Sequence, residues 1–160
     1  MTTSDDDRNT GGKPALVLSR YFPYKLSVLA QQIGFAVADV YARRFNLSRQ
    51  EWRVLAVLGG TTSIATRDIG KITTLDKMEI SRAMRRLEIR GIVARDLDSV
   101  DRRNKIVRLT SAGRAIYEQI VPLALERENA LLAALSPTEI ESLDRMVAKL
   151  TAAARALHRS

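Results

Sequence analysis

The stretch Asp76-Lys77-Met78-Glu79-Ile80-Ser81-Arg82-Ala83-Met84-Arg85-Arg86-Leu87-Glu88-Ile89-Arg90-Gly91-Ile92-Val93-Ala94-Arg95-Asp96-Leu97 changes its period halfway. Asp76 and Glu79 have the spacing of a capping box, in which each residue's side chain satisfies the other's backbone N–H. Ile80, Met84 (or Ala83) and Leu87 then recur at helical spacing, which predicts a helix to about Arg90. Gly91 stands where a left-handed C-terminal cap is wanted. Beyond it, Ile92–Leu97 and Lys105–Leu109 have the composition of two short strands. Asp98-Ser99-Val100-Asp101-Arg102-Arg103-Asn104 between them is polar and turn-prone, so this is a hairpin with a charged tip.

Working outward, a short helix is expected over about 65–73, with Ile69 and Ile72 facing inward and Thr73-Thr74-Leu75 making the turn into the next helix. Further upstream, Ser48 and Glu51 form a second capping box, opening a helix that Gly59-Gly60 ends. Its apolar face is Trp52, Leu55 and Leu58. Residues 24–45 carry Leu26, Leu29, Ile33, Ala36 and Val40 at alternating steps of three and four, close to a coiled-coil seam. Downstream, Thr110 or Ser111 caps a helix over about 111–134 that Pro122 is expected to kink. Ser136-Pro137-Thr138-Glu139 starts the last helix, with Pro at its first position. Its stripe is Ile140, Leu143, Val147, Leu150, Ala154 and Leu157.

The 160 residues are 46% hydrophobic, enough for a folded core, and carry a net charge of +8, which suits a polyanionic partner. The charge is concentrated. Between 76 and 108 lie Lys77, Arg82, Arg85, Arg86, Arg90, Arg95, Arg102, Arg103, Lys105 and Arg108, against Asp76, Glu79, Glu88, Asp96, Asp98 and Asp101. A helical core followed by a hairpin is the layout of a winged helix-turn-helix. In that layout the helix after the turn enters a DNA major groove about 12 Å wide, and the hairpin tip reaches a minor groove.

The segment Asp101-Arg102-Arg103-Asn104-Lys105-Ile106-Val107-Arg108-Leu109-Thr110 matches D-x-R-x-x-x-x-x-L-T. That is the wing signature of the MarR (multiple antibiotic resistance regulator) family. Ile80-Ser81-Arg82 and Leu87–Arg95 resemble the same family's recognition helix and its exit. The resemblance covers about residues 24–157. It implies that Arg103 enters the minor groove and that Arg82 reads base edges. Lys77, Ser81, Arg85, Arg86 and Arg102 complete the expected DNA-facing set. It further implies that Asp101 braces the wing by pairing with Arg86 or Arg95, with Arg95 structural rather than DNA-reading.

The fold class that follows is mainly α with a small β-wing: a winged helix-turn-helix lobe plus dimerisation helices from both termini. Residues 1–14 read as a disordered tail and 15–160 as one domain, with the lobe at about 46–110 and dimerisation helices at about 15–45 and 111–160. A three-helix core cannot cover both long stripes, so a homodimer is expected, reading a near-palindrome in double-stranded DNA. Many members of the family respond to a small anionic aromatic. Tyr21, Tyr24 and Lys25, with Trp52 and Arg53, are the candidates for holding such an effector, an aromatic carboxylate or thioester. The Tyr21–Lys25 and Glu51–Leu55 stretches resemble regulators of aromatic-acid breakdown. Repression is the family's commoner habit. The alternatives are a ligand-independent regulator or activator, and a winged helix used for protein or RNA contact.

Other functions find no support. The chain has no cysteine, which rules out a disulfide, a thiolate metal site and a thiol redox sensor. The one histidine, His158, has no partner at catalytic spacing, and neither a phosphate-cradling loop nor a metal-ligand cluster is present. No enzyme activity, cofactor or metal is therefore expected. Apolar runs fall short of the ~20 residues of a membrane span. The polar, acidic Met1–Asp7 does not have the composition of a signal peptide. A cytoplasmic location is expected.

Overall fold

A computed structural model describes residues 15–97 and 105–158. The expected tail over 1–14 and the hairpin tip, with Asp101, Arg102 and Arg103, lie outside the described residues. The chain packs as two units, one ending at Phe35 and the other beginning at Ala36.

In the first unit a 3-10 turn, Leu18–Arg20, leads into helix α1, Phe22–Phe45. Tyr21 accepts the first helical bond, from the Lys25 amide at 3.1 Å. Leu16, Val17, Leu18, Tyr21, Phe22, Tyr24, Leu26, Leu29 and Phe35 are all exposed, an apolar surface far beyond what isolated surface side chains produce.

The second unit holds the end of α1 and then α2 (Arg49–Gly59), β1 (Ile64–Ala65), α3 (Thr66–Ile72), α4 (Lys77–Ile89), β2 (Val93–Leu97), β3 (Lys105–Leu109), α5 (Ser111–Leu132) and α6 (Pro137–Leu157). Three of these helices start on capping boxes: Ser48 with Glu51, Asp76 with Glu79, and Ser136 with Glu139. Hydrogen bonds from the Ser136 amide and hydroxyl hold the Glu139 carboxyl below its ordinary pKa. Thr110 caps α5, its hydroxyl accepting from the Gly113 amide at 3.0 Å. Pro122 sits inside α5, and the helix continues on both sides of it.

The core lies where α2, α3, α4, the sheet and the start of α5 meet. Val54, Leu55, Leu58, Ile69, Met84, Leu87, Val107 and Ile120 are wholly excluded from solvent. Each large apolar side chain buried this way contributes about 1.5–3 kcal/mol relative to exposure. Ile80, Ala83, Met84 and Leu87 form the inner face of α4, as their spacing predicts. One expectation is overturned here. Ile72 is 64% exposed. It ends a two-turn helix, the chain becomes extended at Thr73, and Leu75 fills the core in its place.

The sheet is antiparallel in the order β1-β3-β2. β2 and β3 pair from Val93↔Leu109 to Leu97↔Lys105, confirming the two strands read from the sequence. β1 is an unforeseen third strand, pairing Ile64↔Val107 and Ala65↔Ile106. It ties the base of the hairpin to the start of α3. Among the described residues no helix is long and apolar enough to cross a membrane.

Candidate nucleic-acid interface

Helix α4 is held at both ends, and this determines which side chains it presents. At its start, the Asp76 carboxylate accepts from the Glu79 amide at 2.7 Å and Glu79 Oε2 accepts from the Asp76 amide at 3.0 Å. The other Glu79 oxygen accepts from Gln50 Nε2 at 3.3 Å, joining α4 to α2. The turn between α3 and α4 is fixed by Thr73, which donates its hydroxyl to the Ile69 carbonyl at 2.9 Å. Arg53 adds a bond from Nη1 to Thr74 Oγ1 at 2.6 Å. At the other end, Gly91 takes φ 66°. The amides of Gly91 and Ile92 turn back to the carbonyls of Glu88 and Leu87, each at 2.9 Å. That is the paired-bond cap that a left-handed glycine allows.

With Ile80, Ala83, Met84 and Leu87 turned inward, Lys77, Ser81, Arg82, Arg85 and Arg86 all stand exposed on the opposite side. Among the described residues, none of the four cations makes an ion pair or a side-chain hydrogen bond. Unpaired guanidinium groups on a rigid rod keep their full donor set for a ligand. Arg82 and Arg86, with Ser48, Gln50 and Glu79, line a cleft of about 180 Å³ between α2 and α4.

The wing cations behave differently. Arg95 Nε pairs with Glu88 at 3.0 Å, with each side chain about one-third exposed, so it ties β2 to α4. The expected partner of Arg95 in the wing, Asp101, lies outside the described residues. Arg108 pairs with Asp96 at 2.9 Å across the hairpin. Such half-exposed pairs contribute about 0.2–1 kcal/mol each and serve mainly to orient the strands.

The candidate effector residues divide between the two units. Tyr21, Tyr24 and Lys25 are exposed in the first. In the second, Trp52 stacks on Tyr41 with ring centres 5.9 Å apart and planes at 13°, while Arg53 is engaged by Thr74. Sequence reasoning passed over Arg90, whose guanidinium reaches the end of α1, and Arg114, whose Nη1 donates to the Gly59 carbonyl at 2.7 Å. An arginine directly before a cap glycine was the available signal for the first. Among the described residues no cluster of three or more His, Cys, Asp or Glu could hold a metal ion.

A helix-turn-helix whose second helix bears cations unpaired among the described residues, followed by an antiparallel hairpin on a third strand, defines a winged helix-turn-helix DNA-binding protein. Residues 45–104 match the MarR family. The chain is 28% identical over 105 residues to the HTH-type transcriptional regulator FarR of Neisseria gonorrhoeae, covering 66% of this chain and 72% of that one. It is 23% identical over 123 residues to the homoprotocatechuate degradative operon repressor of Escherichia coli, covering 77% and 83%. A solved MarR/EmrR family transcriptional regulator from Acinetobacter sp. ADP1 superposes with a TM-score of 0.80 at 26% identity, over 88% of this chain and 99% of that one. The chain belongs to the MarR family of transcription regulators.

Proposed function

We propose that the chain is a ligand-responsive repressor that binds a near-palindromic operator as a homodimer and leaves it when a small aromatic acid or related anion binds. The observation that carries the DNA-binding part is the outer face of α4, where Lys77, Arg82, Arg85 and Arg86 are exposed and unpaired among the described residues. In this reading Arg82 and Ser81 face base edges, Lys77, Arg85 and Arg86 face phosphates or bases, and Arg102 and Arg103 carry the wing into the minor groove. Asp101 braces that wing. The dimer is supported by α6, none of whose residues is buried. Leu143, Met146, Val147 and Leu150 expose an apolar stripe that a second chain would cover. In this reading the protein performs no catalysis and acts in the cytoplasm.

The test is binding to duplexes selected by the protein from genomic DNA, followed by fluorescence anisotropy. Neutralising six or more phosphates makes affinity fall roughly 1,000-fold or more between about 50 and 200 mM salt. Arg82→Ala is expected to lose about 1–3 kcal/mol of preference for the selected site, with its melting temperature unchanged. Arg103→Ala is expected to weaken binding without unfolding. A chain that binds no duplex at low salt would instead be a protein-contact module.

The effector part rests on Tyr21, Tyr24, Lys25, Trp52 and Arg53, and on the name of the homoprotocatechuate repressor relative. The engagement of Trp52 by Tyr41 and of Arg53 by Thr74 favours a second reading, a DNA-binding regulator without an effector. Calorimetry with homoprotocatechuate and simpler aromatic carboxylates separates the two. Heat of binding, coupled to release of DNA, supports the first.

A further inference from the structure

Arg90 is the C-terminal cap residue of α4, yet its side chain is committed 44 residues away. Its Nη1 donates to the Asn46 carbonyl at 2.8 Å and its Nη2 to the Phe45 carbonyl at 2.7 Å. Phe45 is the last residue of α1, and Asn46 takes a left-handed φ of 50° where the chain turns toward α2. The final carbonyls of a helix have no partner within it, and they sit at the negative end of its dipole. A guanidinium is planar and its donors point in fixed directions, so two adjacent carbonyls hold it in one orientation. Gly91 fixes the backbone on the other side of the same residue. Together with the Gln50–Glu79 bond at its start, α4 is therefore tied at one end to α2 and at the other to the last turn of α1.

We propose that Arg90 is a positioning residue: it registers the recognition helix on the end of α1 and so sets how well the outer face of α4 discriminates between DNA sequences, without itself touching DNA. This rests on the DNA-binding role proposed above. It separates Arg90 from the neighbouring Arg85 and Arg86, whose side chains carry no such commitment among the described residues. An arginine that neutralises a phosphate by charge alone can be replaced by lysine. One serving as a two-pronged tie cannot, because lysine offers a single ammonium in place of the fork.

The deciding experiment compares Arg90→Lys and Arg90→Ala in the full chain. Each is titrated against a duplex selected by the wild-type protein from a random library and against a scrambled duplex of the same length. In parallel, amide hydrogen exchange is followed without DNA. The expected result is that both variants lose about tenfold in affinity for the selected duplex. Affinity for the scrambled duplex and the salt slope stay as in wild type for Arg90→Lys, and amides at 46–47 and 86–92 exchange faster in both. If Arg90→Lys binds as wild type while Arg90→Ala weakens both duplexes and lowers the salt slope by about one, Arg90 is a phosphate contact and the proposal is overturned. Unchanged exchange in both variants overturns it equally. A wild-type chain that ignores every duplex would sink the DNA-binding proposal itself, a different result from wild-type binding that survives Arg90→Lys.

Discussion

Replacing Gly113 by alanine is expected to destabilise the protein by about 3 kcal/mol, the upper end of what overpacking a well-filled interior usually costs. A Cβ built on Gly113 would overlap the carbonyl oxygen of Ile92 and lie 3.0 Å from its carbonyl carbon. That oxygen belongs to the backbone leading into β2 and already accepts from the Thr110 amide at 3.1 Å. It cannot swing aside as a long side chain would. The first turn of α5 must lift away, which breaks the Thr110 cap and strains the Val93↔Leu109 pair at the base of the hairpin. Urea denaturation followed by circular dichroism measures this. The midpoint should fall while the slope stays constant, because the same surface is exposed on unfolding. Gly59 offers a contrast: the obstacle there is the ring of Tyr117, a side chain that can rotate. A Gly113→Ala protein with the wild-type midpoint would overturn the prediction, since the first turn of α5 would then yield at no cost.

Val147→Asp is expected to have the largest effect on DNA binding of any change away from the proposed DNA-facing surface. Val147 is 53% exposed on the outer stripe of α6, flanked by Leu143 and Leu150 at steps of four and three. A carboxylate there costs the single chain little, since the position already faces solvent. In a dimer it would be desolvated without a partner, at a cost of several kcal/mol. The expected outcome is a monomer with wild-type helicity, read by sedimentation velocity. Its affinity for a two-half-site duplex should fall about a hundredfold, because the second half-site no longer binds as a linked event. Affinity for a single half-site should stay the same. A Val147→Asp protein that remains dimeric would remove α6 from the interface.

The elements that local rules define were readable from the sequence alone. The starts at Ser48 and Asp76 follow from pairs of residues three apart, the start at Ser136 from a proline at the first helical position, and the end at Gly91 from a single residue that tolerates positive φ. The inner face of α4 follows from periodicity. What escaped was set by distant partners. β1 is two residues long and exists only because β3 runs beside it, more than forty residues later. Ile72 looked internal by spacing, but α3 stops there and Leu75 takes the place. Glu51 was read only as the capping partner of Ser48, and a local capping rule carries no sign that it is also buried, at 4% exposed. The exposed cations of α4 were recognised as a group from charge density and family resemblance. Arg90 was counted among them only as charge, since nothing in its immediate neighbours reveals that its side chain reaches back to α1.

On the DNA-binding role proposed above, helix α4 keeps its two duties on separate sides. Ile80, Ala83, Met84 and Leu87 hold it in place, while Lys77, Ser81, Arg82, Arg85 and Arg86 face outward and are needed for none of that holding. Mutations on the outer side therefore carry almost no folding penalty, and a duplicated copy of this gene could drift toward a new target sequence one exposed position at a time, remaining a folded protein at each step.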